Sequence, residues 1–135
     1  MLKVSVKIPD ASLKAIKRSI EAKLKERLEL VALQAYNYIV THEYPYYSGS
    51  YASSWNIQAG TPDKSYNQPL LNRGYYPEPD VKLGFKVNNV YDKVFISNYT
   101  PHARMIELSG SPTHPTPWLI AASARDATVL RYRFF

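Results

Sequence analysis

The chain has 135 residues, no cysteine and a formal net charge of +6, a size that fits one domain with its own core. The lack of cysteine excludes disulfides, thiolate zinc sites and cysteine nucleophiles. No apolar run approaches the roughly 20 residues that cross a bilayer, and the first ten residues lack the apolar block of a signal peptide, so we expect a protein made and used in the cytosol or in a particle assembled there.

Positive charge is concentrated near the N-terminus, where eight of the 17 basic residues lie within the first 27 positions. They are Lys3, Lys7, Lys14, Lys17, Arg18, Lys23, Lys25 and Arg27. A basic face of this kind binds nucleic acid by releasing counterions. The alternative is the solvated face of a helix, which the interleaved Glu21, Glu26 and Glu29 favour.

The first two predicted elements are a strand and a long helix. Residues 2–8 alternate apolar and polar side chains, which is the period of a half-buried strand, and Pro9 ends it. Asp10 suits the N-cap of the helix that follows. From 11 to 41 apolar residues recur every three or four positions, which predicts one amphipathic helix.

This helix is long for its domain. About 30 residues at 1.5 Å each give a helix of roughly 45 Å, whereas a chain of this size folds into a globule about 35–40 Å across. An unbroken helix would overhang the domain, and its apolar stripe would need a neighbouring subunit. The alternative is a break near Glu26 to Glu29, with both pieces packed inside one domain.

Short elements are predicted in the middle of the chain. Ser48 or Ser50 suits the cap of a short helix through Ser54, and a strand begins at Trp55. A long loop follows at 60–80 and contains four of the ten prolines. Loops of this length are usually functional or mobile.

The second half is predicted to hold two strands and two helices. The strands lie at about 81–87 and 93–98, and the helices lie at about 102–108 and 118–130. Asn88-Asn89 lies near the turn between the strands, and an extended basic and aromatic tail covers 131–135. The fold expected for residues 1–135 is one α+β domain, with a small, mostly antiparallel sheet packed against a long N-terminal helix and a C-terminal helix.

The sequence carries no catalytic motif. Its five glycines are too scattered for a phosphate loop, and no serine lies in a nucleophile elbow. No pair among His42, His102 and His114 has metal-ligand spacing on a common helix face. A metal or acid–base site would require the fold to assemble distant side chains, namely His42, Glu43, His102 and Glu107, and surface histidines are the simpler interpretation. We therefore predict no catalytic residue, metal or cofactor.

Tyrosine is abundant, with 12 copies. Its large contact area and polar tip make it common at protein interfaces. Stacking on single-stranded nucleic acid is the rival use, but the basic residues lie mostly elsewhere in the sequence. We predict that the aromatic segments contact other subunits through Tyr46, Tyr47, Tyr75, Tyr76, Arg131, Tyr132, Phe134 and Phe135.

Three short segments occur in an order that resembles a known family. They are SGSYASSW, NYTPHARMIELSG and PWLIAASA. The positions that carry the resemblance are Ser48, Gly49, Tyr51, Ser54, Trp55, Asn98, Tyr99, Ala103, Ile106, Glu107, Gly110, Pro117, Trp118, Leu119 and Ala122. From about residue 13 to 130 the chain is similar to the small tail-completion proteins of tailed bacteriophages, also called tail-terminator or head–tail joining proteins. Arg104 and Met105 extend the second segment, and the loop at 60–80 has no counterpart.

The resemblance implies a structural subunit without catalytic activity. Such proteins form closed rings, usually of six copies, which end the tail tube and join it to the head connector. Genome DNA passes through the channel without sequence-specific binding. For this chain the resemblance implies a place in the neck or tail of a virion, with assembly in the host cytoplasm. Connector, neck and tail-tube proteins would be its neighbours, with no membrane contact.

Seven of the matching positions are expected to be structural: Gly49, Trp55, Asn98, Glu107, Gly110, Pro117 and Trp118. The alternative to a ring subunit is a small basic nucleic-acid-binding protein.

Overall fold

One long helix organises the fold. The computed structural model describes residues 3–41, 50–68, 79–109 and 119–132. It contains helices α1 (Asp10–Thr41), α2 (Ala103–Leu108) and α3 (Ile120–Tyr132), strands β1 (Trp55–Ala59) and β2 (Val94–Asn98), and a 3₁₀ helix at Ala52–Ser54. The long N-terminal helix, the two-stranded antiparallel sheet and the C-terminal helix form a small α+β domain, which confirms the predicted fold class.

Helix α1 is continuous over its 32 residues. At 1.5 Å per residue it is about 48 Å long. It begins where the Pro9 carbonyl accepts the N–H groups of Ser12 and Leu13 at 3.0 and 3.1 Å. The alternative of a break near Glu26 to Glu29 is wrong, because that stretch consists of strong helix formers without glycine or proline.

Burial divides α1 into two halves. Residues 10–27, called the arm below, project away from the core and bury no side chain. The other half buries Ala32, Tyr36, Ile39 and Val40. The core forms where this half meets residues from the 3₁₀ turn, β1, α2 and α3, namely Tyr51, Trp55, Ala103, Ile106, Ile120 and Ala124. The apolar period of α1 therefore serves the core only in its C-terminal half.

The sheet pairs β1 with β2 in antiparallel register, with Ile57 opposite Ile96. Both of these isoleucines pack against the core. Gly60 ends β1 with a φ of +90°, a conformation that glycine adopts without strain, and its N–H donates to the Lys93 carbonyl at 2.8 Å. The strands at Trp55 and 93–98 are thus confirmed, but they pair with each other.

Residues 79–87 form no strand, so the predicted hairpin between 81–87 and 93–98 is wrong. Side chains of α1 hold this segment instead. The Asn37 side chain donates to the Lys82 carbonyl at 2.8 Å and accepts the Lys82 N–H at 2.9 Å. The Glu29 carboxylate accepts the Val87 N–H at 3.1 Å. These contacts occupy backbone groups that a β-ladder would use.

Two terminal predictions also differ from the structure. Residues 3–9 form neither strand nor helix, because neither of the two described strands lies within their reach. At the other end α3 continues through Arg131 and Tyr132, so these two residues are helical where an extended tail was predicted. The expected short helix is the 3₁₀ helix Ala52–Ser54, which has no side-chain cap.

Glu29 provides a test of how residues 79–87 are held. Replacing it with alanine should lower the free energy of unfolding by about 1–3 kcal/mol, because the buried Val87 N–H loses its acceptor. Glu29→Gln retains an acceptor oxygen and should cost less than half as much. Urea unfolding followed by circular dichroism measures both variants, and equal losses would contradict this role.

Candidate functional site

The arm carries a half-exposed apolar stripe. Leu13, Ile16, Ile20 and Leu24 recur at helical spacing and are 48–53% exposed. Together with Val90 and Tyr91 from the turn at 88–92, they line an open groove of about 390 Å³. Isolated apolar side chains are ordinary on protein surfaces, but an aligned row with a groove beside it marks an interaction site.

A second stripe on the arm is basic. Lys14, Arg18 and Lys25 are spaced by four and seven residues, so they share a helix face that is turned away from the apolar stripe. Lys17 forms an exposed ion pair with Glu21 at 3.9 Å, an arrangement that contributes little to stability. The arm therefore presents one apolar face and one positively charged face.

An apolar groove also lies on the body of the domain, where α1, α3 and β2 meet. It has a volume of about 310 Å³ and is called the body groove below. Its lining comes from three elements: Val31, Ala35, Ile39, Ile96, Ala121, Ala124 and Arg125. Ile96 of β2 lines this groove whereas its ladder partner Ile57 does not, so the groove opens on the β2 side of the sheet.

Glu107 ties the 3₁₀ turn to the start of α3. The Tyr51 hydroxyl donates to one oxygen of its carboxylate at 2.8 Å, and the Ala121 N–H donates to the other at 3.3 Å. Its backbone carbonyl accepts the Leu119 N–H at 3.1 Å. Leu119 has a φ of +52°, which is unusual for a residue with a side chain. Glu107 thus holds a tight entry into α3.

Asn98 ties β2 to the same turn. Its side chain donates to the Tyr51 carbonyl at 2.8 Å and accepts from the N–H and hydroxyl of Thr100 at 3.1 and 2.7 Å. The Trp55 ring packs edge-on against Tyr51, with ring centres 5.9 Å apart. Trp55, Asn98 and Glu107, three of the positions expected to be structural, therefore converge on one tyrosine.

Tyr51→Phe tests how much this cluster contributes to the stability of the fold. The variant should lower the free energy of unfolding by about 1–2 kcal/mol, because the part-buried Glu107 carboxylate loses a hydrogen bond. Tyr99→Phe removes a hydroxyl from an exposed tyrosine and is the matched control, expected to have no effect. Thermal unfolding compares the two, and identical melting temperatures would show that the hydrogen bond contributes nothing.

Most of the predicted interface residues lie outside the described residues. These are Tyr46, Tyr47, Tyr75, Tyr76, Phe134 and Phe135, together with the motif positions Gly49, Gly110, Pro117 and Trp118. Arg131 and Tyr132 are in the last turn of α3. Their roles in subunit contacts stay predictions.

The apolar stripe was indicated by helix length, whereas the body groove combines residues from three elements and had no signal in the sequence.

Only two of the four histidine and carboxylate side chains that a metal or acid–base site would need, His102 and Glu107, lie among the described residues. His102 is exposed before α2, and Glu107 is bonded to Tyr51. His42 and Glu43 lie outside the described residues. Across 3–41, 50–68, 79–109 and 119–132, no group of three or more histidine or acidic side chains is placed to hold a metal ion. In the same ranges no helix is long and apolar enough to cross a membrane.

No protein-family model matches the chain, and no curated protein or solved structure is significantly similar to it. The features of the molecule that bear on its function are the two apolar surfaces and the charged arm.

Proposed function

We propose that this chain is a structural subunit that assembles with copies of itself into a closed ring in the neck or tail of a tailed bacteriophage. The ring would end the tail tube and join it to the head connector, with genome DNA passing through its channel. The observation that carries the proposal is the arm, which extends from the core with an apolar stripe whose side chains are about half exposed.

The stripe has enough apolar surface to drive association. Burying a leucine or isoleucine fully contributes about 1.5–3 kcal/mol. Leu13, Ile16, Ile20 and Leu24 are each about half exposed, so covering the rest contributes on the order of 3–6 kcal/mol in total. That gain offsets part of the free-energy cost of association, and burial of further contact area is needed to offset the rest.

The shape of the subunit favours a ring. The arm extends from one end of a body whose apolar groove lies at the other end of the same helix. Contacts between two different patches are heterologous, and they close into a ring when the rotation between neighbours permits.

The place in a phage particle is supported by the order of the three segments that resemble tail-completion proteins. Four positions of those segments, Tyr51, Trp55, Asn98 and Glu107, contact one another directly or through Tyr51. They join the 3₁₀ turn, both strands and the entry to α3. Residues that connect several elements in this way are ones that a shared fold would require.

Assembly of the purified chain tests the proposal. Light scattering is expected to give a single species of several copies, and electron microscopy is expected to show rings, with six copies implied by the resemblance. In particles, labelled protein should lie in the neck or tail. A stable monomer, or a dimer that stops at two copies, would contradict the ring.

The basic stripe favours a second candidate function, binding of nucleic acid by a small basic protein. Titration with double- and single-stranded DNA at two salt concentrations separates the candidates. DNA affinity that falls steeply with salt, and that is lost in the triple variant Lys14→Gln, Arg18→Gln and Lys25→Gln, would support nucleic-acid binding. Absent or salt-insensitive binding would remove it.

A further inference from the structure

Residues 3–8 have the pattern of a strand without a partner. Val4 and Val6 are 80% and 83% exposed, and Ile8 is also exposed. Lys3, Ser5 and Lys7 alternate with them. Among the described residues no hydrogen bond reaches the backbone of this segment. Three apolar side chains are thus presented to solvent in the spacing that one face of a strand requires.

The sheet of the same copy is too far away to pair with them. Residue 9 leads directly into α1, and the part of α1 that borders the sheet begins near Val31. From Asp10 to Val31 the helix rises through 21 steps of 1.5 Å, or about 32 Å. The segment itself reaches at most about 25 Å when fully extended, and it would have to run back along the helix. Pairing within one copy is therefore excluded.

Strand β2 offers an open edge. Hydrogen-bonded and non-bonded pairs alternate along an antiparallel ladder. The bond from Gly60 to Lys93 lies in the ladder register, which makes Ile57 and Ile96 a non-bonded pair. The N–H and C=O groups of Ile96 and of its alternates, Val94 and Asn98, consequently point away from β1. None of them has a hydrogen bond among the described residues.

The body groove lies beside this edge. Its floor comes from the α1 residues Val31, Ala35 and Ile39, with Ala121 of α3 at its margin and Ile96 at its wall. A strand added next to β2 would direct every second side chain onto that floor. The spacing of Val4, Val6 and Ile8 matches this requirement, because side chains that face the helices recur at every second position.

Charge on the opposite face is complementary. Ser97 faces away from the helices, and its hydroxyl donates to the Asp63 carbonyl at 3.0 Å. Ser65 donates its hydroxyl and N–H to the Asp63 carboxylate, and these hydrogen bonds lower the pKa of that group. In an added strand, Lys3 and Lys7 would lie on this face, near the acidic side chain.

We propose that residues 3–8 of one copy form a third strand on the open edge of β2 in a neighbouring copy, with Val4, Val6 and Ile8 in its body groove. This inference rests on the proposed ring and names its contact. A two-stranded sheet is barely stable alone, and addition of a strand supplies main-chain hydrogen bonds for affinity and alternate side chains for specificity. The arm sets the distance between the copy that donates residues 3–8 and the acceptor copy, whose β2 receives them.

Two lysine substitutions on opposite faces of the segment test this. Val6→Lys places a charge in the apolar groove, whereas Ser5→Lys adds the same charge on the outward face. We expect Val6→Lys to raise the concentration at which the assembly is half dissociated at least tenfold, and Ser5→Lys to change it less than threefold. Light scattering over a dilution series measures both.

A mixing experiment identifies the acceptor. Ala121 is exposed at the groove, so Ala121→Lys should block the acceptor without unfolding the domain. At a concentration where neither variant assembles alone, Val6→Lys supplies a sound groove and Ala121→Lys a sound strand. Their mixture should therefore give a heterodimer that grows no further.

The outcomes separate the two proposals. A wild-type chain that stays monomeric removes both the ring and the strand exchange. A wild-type ring that Val6→Lys leaves intact, or variants that fail to form the heterodimer when mixed, overturns the strand exchange and leaves the ring standing.

Discussion

The double substitution Ile16→Lys, Ile20→Lys is expected to convert the proposed ring into folded monomers. Both side chains lie at the centre of the exposed stripe, so they contribute little to the core of their own copy. Two charges there prevent burial of the stripe against a neighbour. From the 3–6 kcal/mol estimated for the stripe, the dissociation concentration should rise about a hundredfold or more.

The matched control is Ala15→Lys, Ala22→Lys. It adds the same charge to the same helix, on the exposed face opposite the stripe. Light scattering gives the oligomeric state, and circular dichroism checks that both variants keep α1. Equal loss of assembly in the two pairs would mean that added charge, and not the stripe, was responsible.

Trp55→Ala is expected to lower the free energy of unfolding by about 3–5 kcal/mol, because it leaves a cavity in the core. Trp55 is 7% exposed and packs against Tyr51 beside the C-terminal half of α1. In a domain of this size each kcal/mol corresponds to roughly 3–5 °C in melting temperature. The variant should therefore melt about 10–20 °C lower than the original chain.

Two further substitutions show whether volume is the cause. Trp55→Phe fills part of the space and should lose less than half as much. The indole nitrogen has no hydrogen-bond partner among the described residues, so replacement by phenylalanine removes no hydrogen bond seen there. Leu83→Ala removes a side chain that is 96% exposed and should be neutral. An unchanged melting temperature for Trp55→Ala would contradict a core position for this residue.

The helices were predictable because their signals are local. Apolar spacing of three and four residues, with Pro9 and Asp10 before it, placed α1 to within one residue at its start. Helices were also predicted at about 102–108 and 118–130, and α2 and α3 lie there, with α3 beginning and ending two residues beyond the prediction. Each turn of a helix bonds only to residues in the adjacent turns, so neighbouring residues largely determine it.

Strand pairing was less predictable because it depends on distant partners. Residues 81–87 have strand character, but side chains of α1 accept two of their N–H groups instead. Asn37 accepts the Lys82 N–H, and Glu29 accepts the Val87 N–H. Residues 3–8 also alternate apolar and polar side chains, yet α1 carries them beyond the reach of their own sheet. Alternation reports a tendency to pair, and only the three-dimensional arrangement decides whether a partner is available.

Although it left open a break near Glu26 to Glu29, the sequence by itself determined the α+β class, the start of the first helix and the apolar stripe of its arm. These follow from composition and period, which act within a few residues. Only the tertiary structure decided that β1 pairs with β2, that Glu107 and Asn98 meet at Tyr51, and that a groove opens beside β2. These features join residues tens of positions apart, where packing of the whole chain sets the geometry.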